Sequence, residues 1–174
     1  FENLLSLSEK NPAQVESLLN TWTKSEDNNL SRKAQYFLIR LNYPKDIEKS
    51  ILQLKDLANG EDLISLKSKI LHGKILIINK SYQESIELLT SINGVAQDQY
   101  SRSEINFLLA EAHKKNNDIR SATESYLNVA DPTNEDSAKF NAALIEMLNN
   151  DKSDKQLDNQ LVSTIQNNNI KGNV

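Results

Sequence analysis

Apolar residues recur along this chain three and four positions apart, in runs that short polar turns interrupt. In the run Lys80-Ser-Tyr-Gln-Glu-Ser-Ile-Glu-Leu-Leu89, Ser81 and Glu84 have the spacing of a capping box, which predicts a helix start. Tyr82, Ser85 and Leu89 then fall on one face of that helix. A second helical run, Leu66 to Ile78, lies just upstream and carries Gly73 in its middle. Downstream, Ala110 sits inside the run Ser103 to Lys115, followed by the turn Asn116-Asn117-Asp118 and a helix with Ile119, Ala122 and Tyr126. Upstream, Leu38 lies in the run Leu30 to Asn42, with the turn at Tyr43-Pro44 and then Ile47, Ser50 and Leu54.

These runs form pairs with one offset. Leu38 to Ser50, Gly73 to Ser85 and Ala110 to Ala122 are each twelve residues apart. Between pairs, Ser50 to Ser85 is 35 residues and Ser85 to Ala122 is 37. A further step back of 35 lands on Val15, in a helix opened by Asn11-Pro12 and faced by Leu19 and Trp22. Two antiparallel helices need small residues where their axes cross and large ones a turn away. The third pair is followed by Ser137 to Leu148 and by Ser153 to Ile165, where Ser153 and Gln156 have capping-box spacing and Leu157, Leu161 and Ile165 form a narrow stripe. Residues 167–174, which begin with Asn167-Asn168-Asn169, read as a frayed tail.

The set Gly73, Tyr82, Ser85, Leu89 and the set Ala110, Ile119, Ala122, Tyr126 resemble the pattern of the tetratricopeptide-repeat (TPR) superfamily. Leu38 departs from it at a small position, Leu76 and His113 replace the usual late aromatic residue, and Pro132 falls only near the usual proline. The resemblance implies an all-α fold of about eight helices, a right-handed superhelical stack of antiparallel pairs (a TPR-like α-solenoid). The expected organisation is one domain over 1–166, with units at about 31–65, 66–102 and 103–136 and flanking or capping helices at 3–24 and 137–166. It also implies a concave groove lined by the first helix of each pair. The groove residues in this register are Arg32, Gln35, Ile39 and Asn42, then Lys67, Ile70, Lys74 and Ile77, then Glu104, Phe107, Glu111 and Lys114. Ile70, Ile77 and Phe107 are apolar outside the main packing stripe, so they either floor the groove or pack on a neighbouring helix. Gln35, Ile39 and Glu104 stand where the carboxylate clamp of chaperone-binding TPR domains has donors, so that ligand is not expected.

Composition agrees with helices: 38% of residues are apolar and 25% charged, with 4 Gly and 3 Pro. The net charge of −4 and pI near 5.3 supply no basic field for phosphates, so nucleic acid is not an expected partner. Pentatricopeptide proteins share a similar period, so an RNA-binding repeat is the alternative that this acidity disfavours. The absence of Cys removes disulfides, thiolate zinc sites and Cys nucleophiles. The longest apolar run, Ile75-Leu76-Ile77-Ile78, is four residues, so no membrane insertion is expected, although a lipid anchor outside this chain is compatible with it. The start at Phe1 reads as that of a processed or excised chain. With the degenerate units and the Asn-, Lys- and Ile-rich composition, it gives a resemblance to helical-repeat domains of bacterial envelope lipoproteins, including activators of peptidoglycan synthases. That resemblance implies a regulatory domain in the periplasm or cell envelope.

Candidate chemistry is sparse. His72 and His113 map to packed positions inside first helices and lack a second histidine at ligand spacing, so both are expected to be structural. Glu61-Asp62, Asp131 and Glu135-Asp136 fall at expected helix starts, where negative charge complements the helix dipole. Gly60, Gly73, Gly94 and Gly172 are scattered singly and make no phosphate loop, and Gly60 and Gly94 read as turn or helix-end residues. No cofactor, metal or catalytic group is expected. The expectation is a non-catalytic scaffold that holds a protein or peptide partner.

Overall fold

In a computed structural model, residues 10–129 are described, together with Leu4 and Ser8. The described residues form seven helices and no strand: α1 Pro12–Trp22, α2 Asn28–Asn42, α3 Ile47–Leu57, α4 Leu63–Ile78, α5 Tyr82–Asn93, α6 Gln99–Lys115 and α7 Ile119–Leu127. The expected helices beyond residue 129, with the Ser153–Gln156 box, Asp131 and Glu135-Asp136, lie outside the described residues.

Side-chain oxygens open most of these helices. Asp27, Asp46, Asp62, Asp98 and Asp118 each accept a backbone N–H from the first turn, at 2.8 to 3.1 Å for the shortest bond of each. Asn11 does the same for α1, accepting from Gln14 at 3.4 Å, with Pro12 in the first turn. Asp62 therefore has the structural role its place in the sequence suggests.

The capping box expected at Ser81 and Glu84 does not form. Ser81 is the N-cap of α5, but its hydroxyl makes no capping bond. Its backbone N–H already donates to the Leu76 carbonyl at 2.9 Å, so there is no free donor for Glu84 to reach back to.

The chain divides into two compact units, Phe1–Ile75 and Leu76–Val174. In the first, α1 packs on α2 and α2 on α3. Val15, Leu19, Ala34 and Leu4 form one apolar cluster, with Trp22, Phe37 and Leu38 against it. Tyr36, Ile39, Leu54, Leu57, Ile64, Leu71 and Ile75 form another, from α2, α3 and α4. Each fully buried Leu or Ile contributes about 1.5–3 kcal/mol over leaving it exposed, so these stripes hold the helices together.

In the second unit α5 packs on α6 and α6 on α7. Ala110, Ala122 and Tyr126 are buried in one cluster, with Phe107, Ile119, Leu127 and Val129 around them. The small residues twelve apart thus meet where α6 and α7 cross. A polar bridge centred on the buried Asn106 of α6 ties in α5 and the end of α7: Asn106 donates to the Asn128 carbonyl and accepts from Asn93, both at 3.0 Å.

Candidate functional site

The helices of the first unit leave an open cleft of about 750 Å³. Glu16 and Asn20 on α1 and Thr23 at its C-cap form one wall, and Lys49, Ser50, Gln53 and Asp56 on α3 the other. Gln35, Leu38, Ile39 and Asn42 on α2 form the floor, and Lys45 and Asp46 lie in the turn at one end. The volume is that of a site for a small ligand or a short segment of chain.

The residues at the crossing register differ between the α2–α3 pair and the α6–α7 pair. In the α6–α7 pair the crossing residues are Ala110 and Ala122, both fully buried. In the α2–α3 pair the same register holds Leu38 and Ser50, and both line the cleft. Leu38 is half-buried and packs on the cluster of Val15, Leu19 and Ala34, so it does not close the α2–α3 crossing as Ala110 and Ala122 close theirs. Packing within the α2–α3 pair is correspondingly sparser than within the α6–α7 pair.

Part of the lining is already hydrogen-bonded. Asn42 donates to the Glu16 carboxylate at 3.2 Å and accepts from the Lys45 ammonium at 2.7 Å, a chain that closes one end. Gln35 donates to the Ser31 hydroxyl at 3.2 Å, and Ser31 donates to the Thr23 carbonyl at 2.7 Å. The Asn20, Lys49, Gln53 and Asp56 side chains make no hydrogen bond or ion pair among the described residues. The cleft thus presents amide, ammonium and carboxylate groups open to a ligand.

Of the residues expected to line a groove, Gln35, Ile39 and Asn42 come together in this cleft. Lys67 and Lys74 are exposed on α4, three residues before and four after the buried Ile70. Ile70 and Ile77 are only 3% and 8% exposed, so they belong to the packing and offer no open apolar floor. Phe107 is half-buried and meets the ring of Tyr126 edge-on at 5.9 Å. Glu111 is half-buried and accepts the phenolic hydrogen of the buried Tyr126 in a short bond. Lys114 is half-buried and Glu104 exposed on the same helix.

Arg32 serves as a clasp. Its guanidinium reaches Asp62 at 2.5 Å, the Leu57 carbonyl at 2.9 Å and the Ser65 hydroxyl at 2.9 Å. It thereby joins the start of α2 to the end of α3 and the start of α4. The Asp62 carboxyl is held below the usual carboxylate range, first by the Ser65 N–H and also by the Ser65 hydroxyl and Arg32, against an opposing effect of burial.

His72 is buried on α4. His113 is half-buried near the end of α6, with Nδ1 3.3 Å from Asp118 Oδ2, an electrostatic contact outside hydrogen-bond geometry. The Asp118 carboxyl is also lowered, chiefly by the Ser121 hydroxyl and N–H, with His113 adding to the effect. Among the described residues no group of three or more His, Asp or Glu is placed to hold a metal, and no helix is long and apolar enough to cross a membrane.

Asn20, Lys49, Gln53 and Asp56 were not legible as site residues, because a polar stripe beside an apolar one is what any solvated helix shows. Their signal is the combination of that stripe with Leu38 at a crossing position. No family model, curated protein or solved structure matches this chain.

Proposed function

We propose that this chain is a non-catalytic interaction module, in which TPR-like helical hairpins stack and hold a protein or peptide partner. The observation that supports the reading is the recurrence of one burial pattern. Ser50, Ser85 and Ala122 are all buried at the same point of the second helix, and Leu54, Leu89 and Tyr126 are fully buried four residues later. Hairpins that bury one face this way gain stability by stacking, and stacking exposes extended surface suited to a partner. The carboxylates at 27, 46, 62, 98 and 118 are engaged as helix caps, which accounts for their number without acid–base chemistry.

The test is affinity capture from source-cell extract with the native chain and with a Lys67→Glu/Lys74→Glu variant. Both lysines are exposed, so circular dichroism of the variant should match the native chain. Stoichiometric retention of one or a few proteins, reduced in the variant, supports the reading. Retention of none, or turnover of a metabolite by the purified chain, overturns it.

A further inference from the structure

We propose that the α1–α2–α3 cleft binds an extended polypeptide segment by its backbone, through carboxamides supplied by all three helices. The proposal rests on the reading of the chain as a protein-binding module and assigns that module a site and a mode of recognition.

The lining chemistry selects the ligand. Asn20, Gln35 and Gln53 come one each from α1, α2 and α3. A carboxamide carries an acceptor oxygen and two N–H donors, so it can satisfy the C=O and N–H of a peptide group together. Asn20 and Gln53 are uncommitted among the described residues, and Gln35 uses one donor on Ser31 and keeps its oxygen free. Among the described residues no aromatic ring lines the cleft, so they offer a nucleic-acid base no face to stack on. The three acids Glu16, Asp46 and Asp56 outnumber the two lysines, Lys45 and Lys49, which disfavours a free anion.

Length and charge narrow it further. From Lys49 to Asp56 the α3 wall runs about 10 Å at about 1.5 Å per residue. An extended strand advances about 3.3 Å per residue, so about three or four residues fit. Lys49 toward one end and Asp56 toward the other are both unpaired among the described residues. A segment with an acidic residue near Lys49 and a basic one near Asp56 complements them. Leu38 gives a small apolar floor for one side chain between.

The experiment titrates the full, isotope-labelled chain with acetyl-Glu-Ala-Val-Lys-amide and follows the side-chain NH2 signals by NMR. Signals of Asn20, Gln35 and Gln53 are expected to shift saturably at millimolar peptide. Asn20→Ala and Gln53→Ala should each weaken binding about five-fold, the loss of one net hydrogen bond of about 1 kcal/mol. Gln97→Ala, at an exposed loop residue remote in sequence, should leave it unchanged. The same peptide N-methylated at its central amides should bind markedly less.

Absence of saturable shifts in the cleft overturns the proposal. Equal binding of the N-methylated peptide overturns it too, because recognition would then lie in side chains. If a captured partner is retained by the Asn20→Ala/Gln53→Ala double variant, the cleft assignment fails while the interaction-module reading stands. If the tetrapeptide binds in the cleft but extract yields no partner, the cleft assignment stands and the broader reading fails.

Discussion

Lys80 and Asn117, 37 residues apart, occupy equivalent places in two turns: each holds a left-handed backbone, with φ of 64° and 62°. In both turns the N–H of this residue bonds three residues back, Lys80 to Ile77 and Asn117 to Lys114. In both, the next N–H reaches five back, Ser81 to Leu76 and Asp118 to His113. This is a Schellman ending that turns one helix directly into the next. The two turns therefore share one backbone geometry as well as a similar place in the residue spacing.

A left-handed conformation costs a residue with a Cβ about 1–2 kcal/mol, and asparagine tolerates it better than lysine. Lys80→Gly is accordingly expected to raise stability by about 1 kcal/mol after the added freedom of the unfolded chain is deducted. Asn117→Gly should change it by less, and Lys80→Val should lower it. Urea midpoints at unchanged slope measure all three.

The Arg32 clasp predicts a second set of effects. Gly60, in the loop beneath it, has φ of 132°, and a Cβ there would stand 2.9 Å from the Ser65 hydroxyl. Gly60→Ala is expected to lose about 1–3 kcal/mol from backbone strain, beyond any displacement of Ser65. Arg32→Ala should lose about 1 kcal/mol, since the pair with the half-exposed Asp62 is screened by water while the bond to the Leu57 carbonyl is not fully replaced. Thermal unfolding of each variant checks the order, with Gly60→Ala the more damaging.

The parts of this fold legible in the sequence were those with a strong period. The turns at 43–46, 79–81 and 116–118, the meeting of Ala110 with Ala122 and the buried Leu54, Leu89 and Tyr126 all follow from spacing. Three helix starts did not: α2, α4 and α6 begin at Asn28, Leu63 and Gln99, earlier than the apolar pattern at Leu30, Leu66 and Ser103 suggests. The first turns of α2 and α6 are largely exposed, so capping by Asp27 and Asp98 sets those starts instead of burial, whereas α4 opens with the buried Ile64 and Ser65 behind its Asp62 cap. The face of α4 was not legible either, because Ile64, Ile70, Leu71, Ile75, Leu76 and Ile77 are buried around much of its girth. An apolar residue outside a stripe marks an open groove only where the helix is solvated on that side. The cleft went unseen because it arises from the space between helices.

Acid should unfold the chain partly through two caps. The Asp62 and Asp118 carboxyls are both lowered in the folded state, by the Ser65 N–H first and the Ser121 hydroxyl first respectively. A lowered carboxylate favours the folded chain fully above its unfolded pKa, about 3.9, and that contribution is lost as pH falls through the lower folded value. Stability should thus be insensitive to these two groups from neutral pH to about pH 5 and should fall with them below about pH 4. Asn retains capping ability without titrating, so Asp62→Asn/Asp118→Asn should be less stable than the native chain at neutral pH and should lose less on acidification. Urea midpoints at neutral pH and across the acid range decide this. Parallel curves for the two proteins would show that these caps do not carry the acid response.

The crossing position yields the sharpest contrast between the two units. Ala110 is fully buried against Ala122 and Tyr126, so Ala110→Leu must force the α6–α7 axes apart in a filled core. Such overpacking costs about 1–3 kcal/mol. Leu38 holds the same register in the α2–α3 pair but is half-buried and lines an open cleft. Its removal therefore leaves little sealed cavity, and the helices can close toward each other. A fully buried leucine changed to alanine loses about 2–5 kcal/mol, so Leu38→Ala should lose well under the lower bound, about 1 kcal/mol. The same closure should narrow the space between Gln35 on the floor and Gln53 on the wall. Leu38→Ala should then weaken tetrapeptide binding by more than its effect on stability accounts for. Equal losses from Leu38→Ala and a buried control such as Leu54→Ala would show that Leu38 is an ordinary core residue and that the cleft owes nothing to it.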